Sequence, residues 1–176
     1  MSPEAKDRDL AWFNTLPPSV AVDELLRCCH SRVWARAVAG ARPYRDFVEL
    51  CLASDAAADA LTREDWLEAF RGHPKIGDRK ALEAKFASTA QWAKGEQQGA
   101  AQASSDVLDA LSKGNAAYEA RFGFIFIVCA TGKTAAEMLA LLQARLSATP
   151  DQEWATAAGE QRKITRIRLE KLFTIQ

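Results

Sequence analysis

The chain has 176 residues, of which 48% are hydrophobic and 26% charged, and its 23 lysines and arginines balance its 23 aspartates and glutamates. This length is enough for one domain with its own core, and the balanced charge excludes a general attraction to nucleic acid or anionic membranes. We therefore predict a globular protein that forms a single domain over residues 1–176, with neither nucleic acid nor membrane as a partner.

The cysteines and the two ends of the chain predict a cellular compartment. The cysteines are Cys28, Cys29, Cys51 and Cys129. None belongs to a CxxC pair, so we expect neither a metal site nor a redox dithiol. The first nine residues are too polar for a signal peptide, and Thr174 to Gln176 differs from a peroxisomal signal. We expect a cytoplasmic protein with free, mostly buried thiols.

Apolar periodicity and capping residues predict the first helices. Residues at steps of three and four are Val22, Leu25, Leu26, Cys29 and Val33. This pattern predicts one amphipathic helix that Gly40 and Pro43 end. Thr62 with Asp65 forms a capping box, which predicts a helix over Arg63–Arg71 that stops at Gly72.

The second half of the sequence predicts two more helices and one ambiguous segment. The aromatic and β-branched run from Phe122 to Cys129 has no second strand to pair with, so we interpret it as a buried helix or a short extended piece beside a site. Thr134 and Glu137 form another capping box, and Asp151 is expected to cap a final helix through Phe173. The predicted fold is an all-α, single-domain bundle of about seven to eight helices.

The chain contains two histidines, and their settings differ. His30 follows Cys28 and Cys29 inside the predicted amphipathic helix, where a structural or surface role is favoured. His73 lies between Gly72 and Pro74, just beyond a helix end, where the proline biases its backbone toward an extended conformation. From the residues alone, a functional role for His73 is as well supported as a capping or turn role.

Arg168 is the second candidate, because it falls on an apolar arc of the predicted last helix. The apolar members of that arc are Ile164, Ile167, Leu172 and Ile175. Arg162 and Arg166 are predicted on the opposite, solvated side. A guanidinium on an apolar face needs a partner, so Arg168 lies either in a buried ion pair or in an anion site. Lys171 shares the arc and weakens the argument, since a long side chain can reach water from its edge.

Glu96 is a third candidate, within the segment Lys94 to Gly99. Two glycines permit a close backbone approach, and Glu96 with Gln97 supplies an acceptor and an amide. A solvated helix face is the alternative that these residues by themselves favour.

Three motifs in this order resemble the 2-oxo-4-hydroxy-4-carboxy-5-ureidoimidazoline (OHCU) decarboxylase family: His73-Pro-Lys-Ile-Gly77, Glu96-Gln97, and the segment from Phe122 to Ala130. The likeness covers nearly the whole chain. Its further elements are Phe13-Asn-Thr-Leu-Pro17, Cys28-Cys29, Trp34, Arg42-Pro43, Ile164 and Arg168-Leu169. Each motif is weak alone, but their common order and spacing are specific.

The resemblance implies an all-helical enzyme, usually a homodimer, that needs no metal or organic cofactor and converts OHCU to (S)-allantoin in uric acid degradation. It implies catalytic roles for His73, Glu96 and Arg168, with His73 as the acid-base group. The residues implied to bind substrate are Pro74, Ala93, Lys94, Gly95, Gln97, Phe126, Ile127, Val128, Cys129 and Ala130.

Two positions depart from the family pattern. Ala93 stands where the family commonly has serine, so a hydroxyl contact to the substrate is missing or comes from water or from another group such as Lys94. Ile125 replaces the proline of the family's Phe-Gly-Phe-Pro-Phe, which alters the local rigidity of the chain.

Two other functions remain open from the sequence. The chain could be a hydrolase of a related cyclic ureide, in which His73 and Glu96 activate water. It could also be an inactive helical interaction module, in which His73 is a cap and Arg168 a structural ion pair. Release of carbon dioxide separates the decarboxylase from the hydrolase.

Overall fold

The computed structural model of the chain describes residues 8–74 and 105–173, and this part contains eight helices and no strand. The helices are α1 (Leu10–Thr15), α2 (Pro18–Leu26), α3 (Arg32–Gly40), α4 (Phe47–Asp59), α5 (Arg63–Arg71), α6 (Ser105–Phe122), α7 (Ala135–Arg145) and α8 (Pro150–Leu172). The all-α prediction is confirmed. No described helix combines the length and hydrophobicity that crossing a membrane requires.

The chain divides into two compact units. One comprises residues 1–72 with 158–176, and the other comprises residues 73–157. The first contains α1 to α5 and the later part of α8, and the second contains α6, α7 and the beginning of α8. The expectation of a single domain over residues 1–176 stays a prediction.

The core of the first unit lies where α3 packs against α2, α4 and α5. Its largest fully buried side chains are Phe13, Leu25, Trp34, Leu50, Phe70 and Leu169. The buried indole of Trp34 donates its Nε1–H to the Ser54 carbonyl at 3.2 Å, so its polar atom keeps a partner inside the core.

The prediction of one helix up to Gly40 is wrong, because α2 ends at Leu26 and α3 begins at Arg32. Ser31 explains the break: its hydroxyl oxygen accepts the Trp34 N–H at 3.3 Å and caps α3. Val33, counted on the apolar face, is 48% exposed. His30 is exposed and lies in the connection between the two helices, so its predicted place inside a helix is also wrong.

Capping decides where three later helices begin. The boxes of Thr62 with Asp65 at α5 and of Thr134 with Glu137 at α7 are confirmed. The predicted cap of the last helix is wrong. Thr149 caps α8, since its hydroxyl accepts the Gln152 N–H at 3.3 Å and its own N–H donates to Gln152 Oε1 at 3.1 Å. Proline at the first helical position favours this start, which leaves Asp151 in the first turn.

In the second unit α6 packs against α7, and the aromatic segment after α6 is irregular. Residues 123–130 form neither helix nor strand, so the buried-helix alternative is wrong, and a short extended piece beside a site stays a prediction. Gly123, with φ of +78°, ends α6, and Gly132, with φ of +74°, lies in the turn after the segment. The ring of the fully buried Tyr118 packs at centroid distances of 4.7 to 5.8 Å against three phenylalanines: Phe122, Phe124 and Phe126.

Candidate functional site

His73 is the second residue beyond α5. The helix ends at Arg71 and is capped by Gly72, whose N–H donates to the Ala69 carbonyl at 3.3 Å. The side chain of His73 is half-buried and Pro74 is exposed. Gly72 is required for a close approach: a Cβ atom there would lie 2.3 Å from His30 Cβ and 2.4 Å from His30 Cγ. The packing of the α2–α3 connection on Gly72 therefore fixes the backbone from which His73 starts.

Arg168 is half-buried on α8, and its Nη1 donates to the Cys28 carbonyl at 3.5 Å. Within residues 8–74 and 105–173 the structure pairs it with no carboxylate. The buried ion pair, one of the two alternatives for this arginine, is thus not found in the described part of the chain. A guanidinium with one long hydrogen bond retains donors for an anion or a carbonyl.

Of the two neighbouring arginines predicted on a solvated side, Arg166 is exposed as predicted and Arg162 is half-buried. Arg162 donates to Asp59 at 2.7 Å, with its guanidinium 5.5 Å from the ring centroid of Trp66, and Arg166 donates to Asp55 at 3.2 Å. The predicted apolar arc is also displaced, because Ile164 and Ile167 are only half-buried. The buried residues here are Gln161, Thr165, Leu169, Leu172 and Phe173. Ile175 lies outside the described residues.

The thiols beside Arg168 are kept neutral. Burial raises the pKa of Cys28 to about 12, against the opposing effect of the Arg168 charge. Burial likewise raises the pKa of Cys29. The neutral thiols of Cys28 and Cys29 are therefore poor nucleophiles. All four cysteines are buried and form no disulfide, as predicted.

The segment from Phe126 to Ala130 is apolar and largely buried, and two cations hold its carbonyl groups. Arg145 Nη1 donates to the Ile127 carbonyl at 2.7 Å, and Lys133 Nζ donates to the Cys129 carbonyl at 2.8 Å. The Lys133 N–H donates to the Ala130 carbonyl at 3.1 Å and closes the following turn. Hydrogen bonds therefore fix three carbonyl groups of this segment, those of Ile127, Cys129 and Ala130.

A buried ion pair supports this segment, and the sequence did not reveal it. Glu153 is fully buried and its Oε1 accepts the Arg145 Nε–H at 2.8 Å and the Tyr118 hydroxyl. The guanidinium lies 4.6 Å from the ring centroid of Phe126. Burial and the hydrogen bond to Glu153 raise the pKa of Tyr118, so the phenol stays protonated. Arg145 is the last residue of α7, and Glu153 lies in the first turn of α8. Each charge is favourable for the dipole of its own helix, so its position in the sequence does not indicate that the two residues pair.

The predicted site residues fall in different parts of the chain. His73, Pro74 and all of Phe126 to Ala130 belong to the second unit, and Arg168 belongs to the first. Five predicted site residues lie outside the described residues: Ala93, Lys94, Gly95, Glu96 and Gln97.

Comparison with known proteins gives consistent matches. The model of the OHCU decarboxylase family matches residues 14–170. The chain is 37% identical over 158 residues to the uric acid degradation bifunctional protein TTL of Arabidopsis thaliana, with 88% of this chain and 48% of that protein covered. It thus spans about half the length of that relative.

Two further matches cover most of both partners. The OHCU decarboxylase of Amia calva is 33% identical over 143 residues, which cover 80% of each chain. The crystal structure of an OHCU decarboxylase in the presence of (S)-allantoin superposes with a TM-score of 0.72 at 34% identity. It covers 87% of this chain and 99% of that one.

Proposed function

The chain belongs to the OHCU decarboxylase family, and from this we propose that it removes the carboxylate of OHCU and forms (S)-allantoin in uric acid degradation. The sequence-based assignment to this family of decarboxylases is thereby confirmed. The observation that carries the proposal is the match of residues 14–170, a span that contains His73, Glu96 and Arg168.

The substrate's own chemistry explains how such an enzyme works without a cofactor. The carboxylate of OHCU is on C4, next to a ring C=N bond. When the C4–carboxylate bond breaks, its electron pair passes toward the imine nitrogen and carbon dioxide leaves. Proton transfers then leave C4 as a carbonyl and add a proton at C5, with one proton consumed overall. The protein has to orient the carboxylate, stabilise the delocalised charge and protonate one face.

We assign these tasks to the three candidate residues. His73 contacts the C4 hydroxyl and carboxylate region and transfers protons, for which an imidazole suits cellular pH. Glu96 accepts hydrogen bonds from ring or ureido N–H groups and sets the charge state of His73. Arg168 binds the carboxylate or a carbonyl; its half-burial and its lack of a carboxylate partner in the described residues support this role.

The ureido end of the substrate is assigned to Gln97 and to backbone groups of Phe126 to Ala130. The burial of this segment supports the assignment, because an apolar surrounding favours release of neutral carbon dioxide from a carboxylate. The neighbouring binding residues are Pro74, Ala93, Lys94 and Gly95. Ala93 provides no hydroxyl, so water or Lys94 takes the place of the family's serine.

We further propose that the protein acts as a homodimer in the cytoplasm. The family resemblance supports the dimer, and four free, buried thiols are compatible with a reducing compartment. We expect no metal and no organic cofactor to be required.

The proposal is tested by generating OHCU from urate with urate oxidase and hydroxyisourate hydrolase, and following the circular dichroism of allantoin. Native protein is expected to accelerate release of carbon dioxide and give the (S) enantiomer. His73→Ala and Arg168→Gln are each expected to lower kcat/KM at least about a hundredfold, because each removes a group that contacts the reacting atoms.

The matched controls are His30→Ala and Arg166→Gln, the same changes at an exposed histidine and at an exposed arginine of α8. Alanine at position 30 keeps the Cβ atom that faces Gly72, so the packing on Gly72 is retained. Both are expected to retain most of the activity. Ureide turnover without carbon dioxide would favour the hydrolase instead. No acceleration over spontaneous, racemic decay by the native protein would favour the interaction module.

A further inference from the structure

Arg145 determines which way one peptide group of the candidate binding segment faces. It donates to the Ile127 carbonyl at 2.7 Å. The cis peptide bond of the described residues is Arg42-Pro43, so the peptide joining Ile127 to Val128 is trans. The C=O and N–H of a trans peptide point in opposite directions. The N–H of Val128 therefore points away from Arg145.

Lys133 acts on a second peptide of the same segment in the same way. Its Nζ holds the Cys129 carbonyl at 2.8 Å, and the N–H of that peptide belongs to Ala130. This N–H accordingly points away from the ammonium group. Two cations thus orient two N–H groups, separated by one residue, within the segment assigned to the ureido end.

Both oriented N–H groups are available as donors. In the described part of the chain, the structure gives neither the Val128 N–H nor the Ala130 N–H a hydrogen-bond acceptor. Val128 is only 8% exposed. A backbone N–H group in a buried position nearly always has a partner, so the unused Val128 N–H indicates an acceptor that arrives with a ligand, and the half-buried Ala130 supplies a second donor. A carbonyl oxygen fits such a pair of donors.

The hydrogen bond to the Ile127 carbonyl is rigid because an ion pair with Glu153 holds Arg145 in place. The arginine side chain is 11% exposed and the Glu153 side chain 1% exposed in their ion pair. The guanidinium also packs over Phe126, the residue before Ile127. A buried charge pair of this kind adds little net stability compared with apolar side chains. Its directional hydrogen bonds, by contrast, fix the carbonyl in one place.

We propose that Arg145, anchored by Glu153, and Lys133 are positioning residues, which hold two carbonyls so that the N–H groups of Val128 and Ala130 face the ureide carbonyl of the substrate. This inference rests on the proposed function. It adds residues that touch no substrate atom but preorganise the donors that do.

The test uses Arg145→Met/Glu153→Gln, because the double substitution removes the guanidinium without leaving a buried, unpaired carboxylate. Lys133→Met tests the hydrogen bond to the Cys129 carbonyl. Lys133 is half-buried and has no carboxylate partner among the described residues, so its substitution leaves no unpaired carboxylate there. Each variant is expected to raise the KM for OHCU, lower kcat/KM at least about tenfold and reduce the enantiomeric excess of allantoin. Thermal unfolding followed by circular dichroism reports the fold separately.

Arg121→Met is the matched control. Arg121 also donates to a carbonyl, that of Ala148 at 3.0 Å, and also packs over a phenylalanine, Phe122, at 5.2 Å. It does not hold the Ile127 or Cys129 carbonyl. Its substitution is expected to leave KM and enantiomeric excess unchanged.

The outcomes separate the two proposals. If the native protein does not accelerate decarboxylation, the proposed function fails. If the native protein is active and a folded Arg145→Met/Glu153→Gln keeps native KM and enantiomeric excess, the positioning role is overturned. If Lys133→Met keeps native KM and enantiomeric excess, the positioning role is overturned as well. This result does not depend on the buried ion pair of Arg145 with Glu153.

Discussion

The residue before His73 is Gly72, and the structure leaves no room for a side chain there. The nearest obstacle to a Cβ at Gly72 is the Cβ of His30, which is close to the backbone and cannot rotate away. The backbone of Gly72 and the α2–α3 connection are therefore in direct contact. A change of Gly72 has to move one of them, and His73 is the next residue along the chain.

Gly72→Ala is accordingly expected to lower kcat/KM on the order of a hundredfold, because a displacement of about 1 Å at a reacting group has effects of that size. Steady-state kinetics with OHCU measure it. The matched control is Gly40→Ala, since a Cβ at Gly40 has no heavy atom within 4 Å, and alanine suits the end of a helix.

A second substitution tests the cause. His30→Gly removes the three obstructing atoms, so Gly72→Ala/His30→Gly is expected to recover activity relative to Gly72→Ala. Equal activities of Gly72→Ala and native protein would contradict the close contact.

The candidate residues differ in how far the sequence could reveal them. His73 is indicated by its motif with Pro74. Arg168 is indicated by an apolar arc, of which Leu172 is buried while Ile164 and Ile167 are only half-buried. Arg145 carries no such mark, because its importance depends on a carbonyl in another segment and on Glu153. A local pattern can indicate a side chain's own helix face, but not the backbone atom of a distant segment that it contacts.

Among the helices, the break between α2 and α3 shows how capping overrides apolar periodicity. A spacing of three and four residues continues across residues 27–31, yet the Ser31 hydroxyl competes for the Trp34 N–H and starts a new helix. The break places His30 against Gly72. It also leaves the Cys28 carbonyl to accept from Arg168.

Ser31→Ala is expected to lower the free energy of unfolding by about 1 kcal/mol, the usual effect of losing a helix N-cap. Urea unfolding followed by far-ultraviolet circular dichroism measures it. Ser147→Ala is the control, because this exposed serine donates to the Ala144 carbonyl without capping a helix start. Identical midpoints for Ser31→Ala and native protein would show that the cap does not stabilise α3.

At the scale of the whole molecule, buried thiols and phenols couple folding to alkaline pH. Burial raises the pKa of Cys28 from 9.0 to about 12 and that of Tyr44 from 10.0 to about 12. The folded state thus keeps protons that the unfolded chain loses. The stabilisation by these groups is fully present below the unfolded pKa values and is lost as the pH rises toward about 12.

We therefore expect the urea midpoint to fall between about pH 8 and about pH 11, and to fall less in Cys28→Ala/Tyr44→Phe. The comparison is the change of midpoint with pH in each protein, which cancels the effect of the substitutions at neutral pH. An equal fall in both proteins would assign the alkaline loss of stability to other groups.

The sequence by itself determined the all-α class, the capping boxes of α5 and α7, the four free thiols and the family. These depend on residue identity and on contacts within a few positions of the chain. The tertiary structure decided the break at Ser31, the cap at Thr149, the irregular course of residues 123–130 and the anchoring of Arg145 by Glu153. The caps at Ser31 and Thr149 are local contacts, but the sequence also offers a continuing apolar spacing and a rival cap at Asp151, and only the folded backbone selects between them. The hydrogen bond from Arg145 to the Ile127 carbonyl joins residues 18 positions apart, which a local pattern does not indicate.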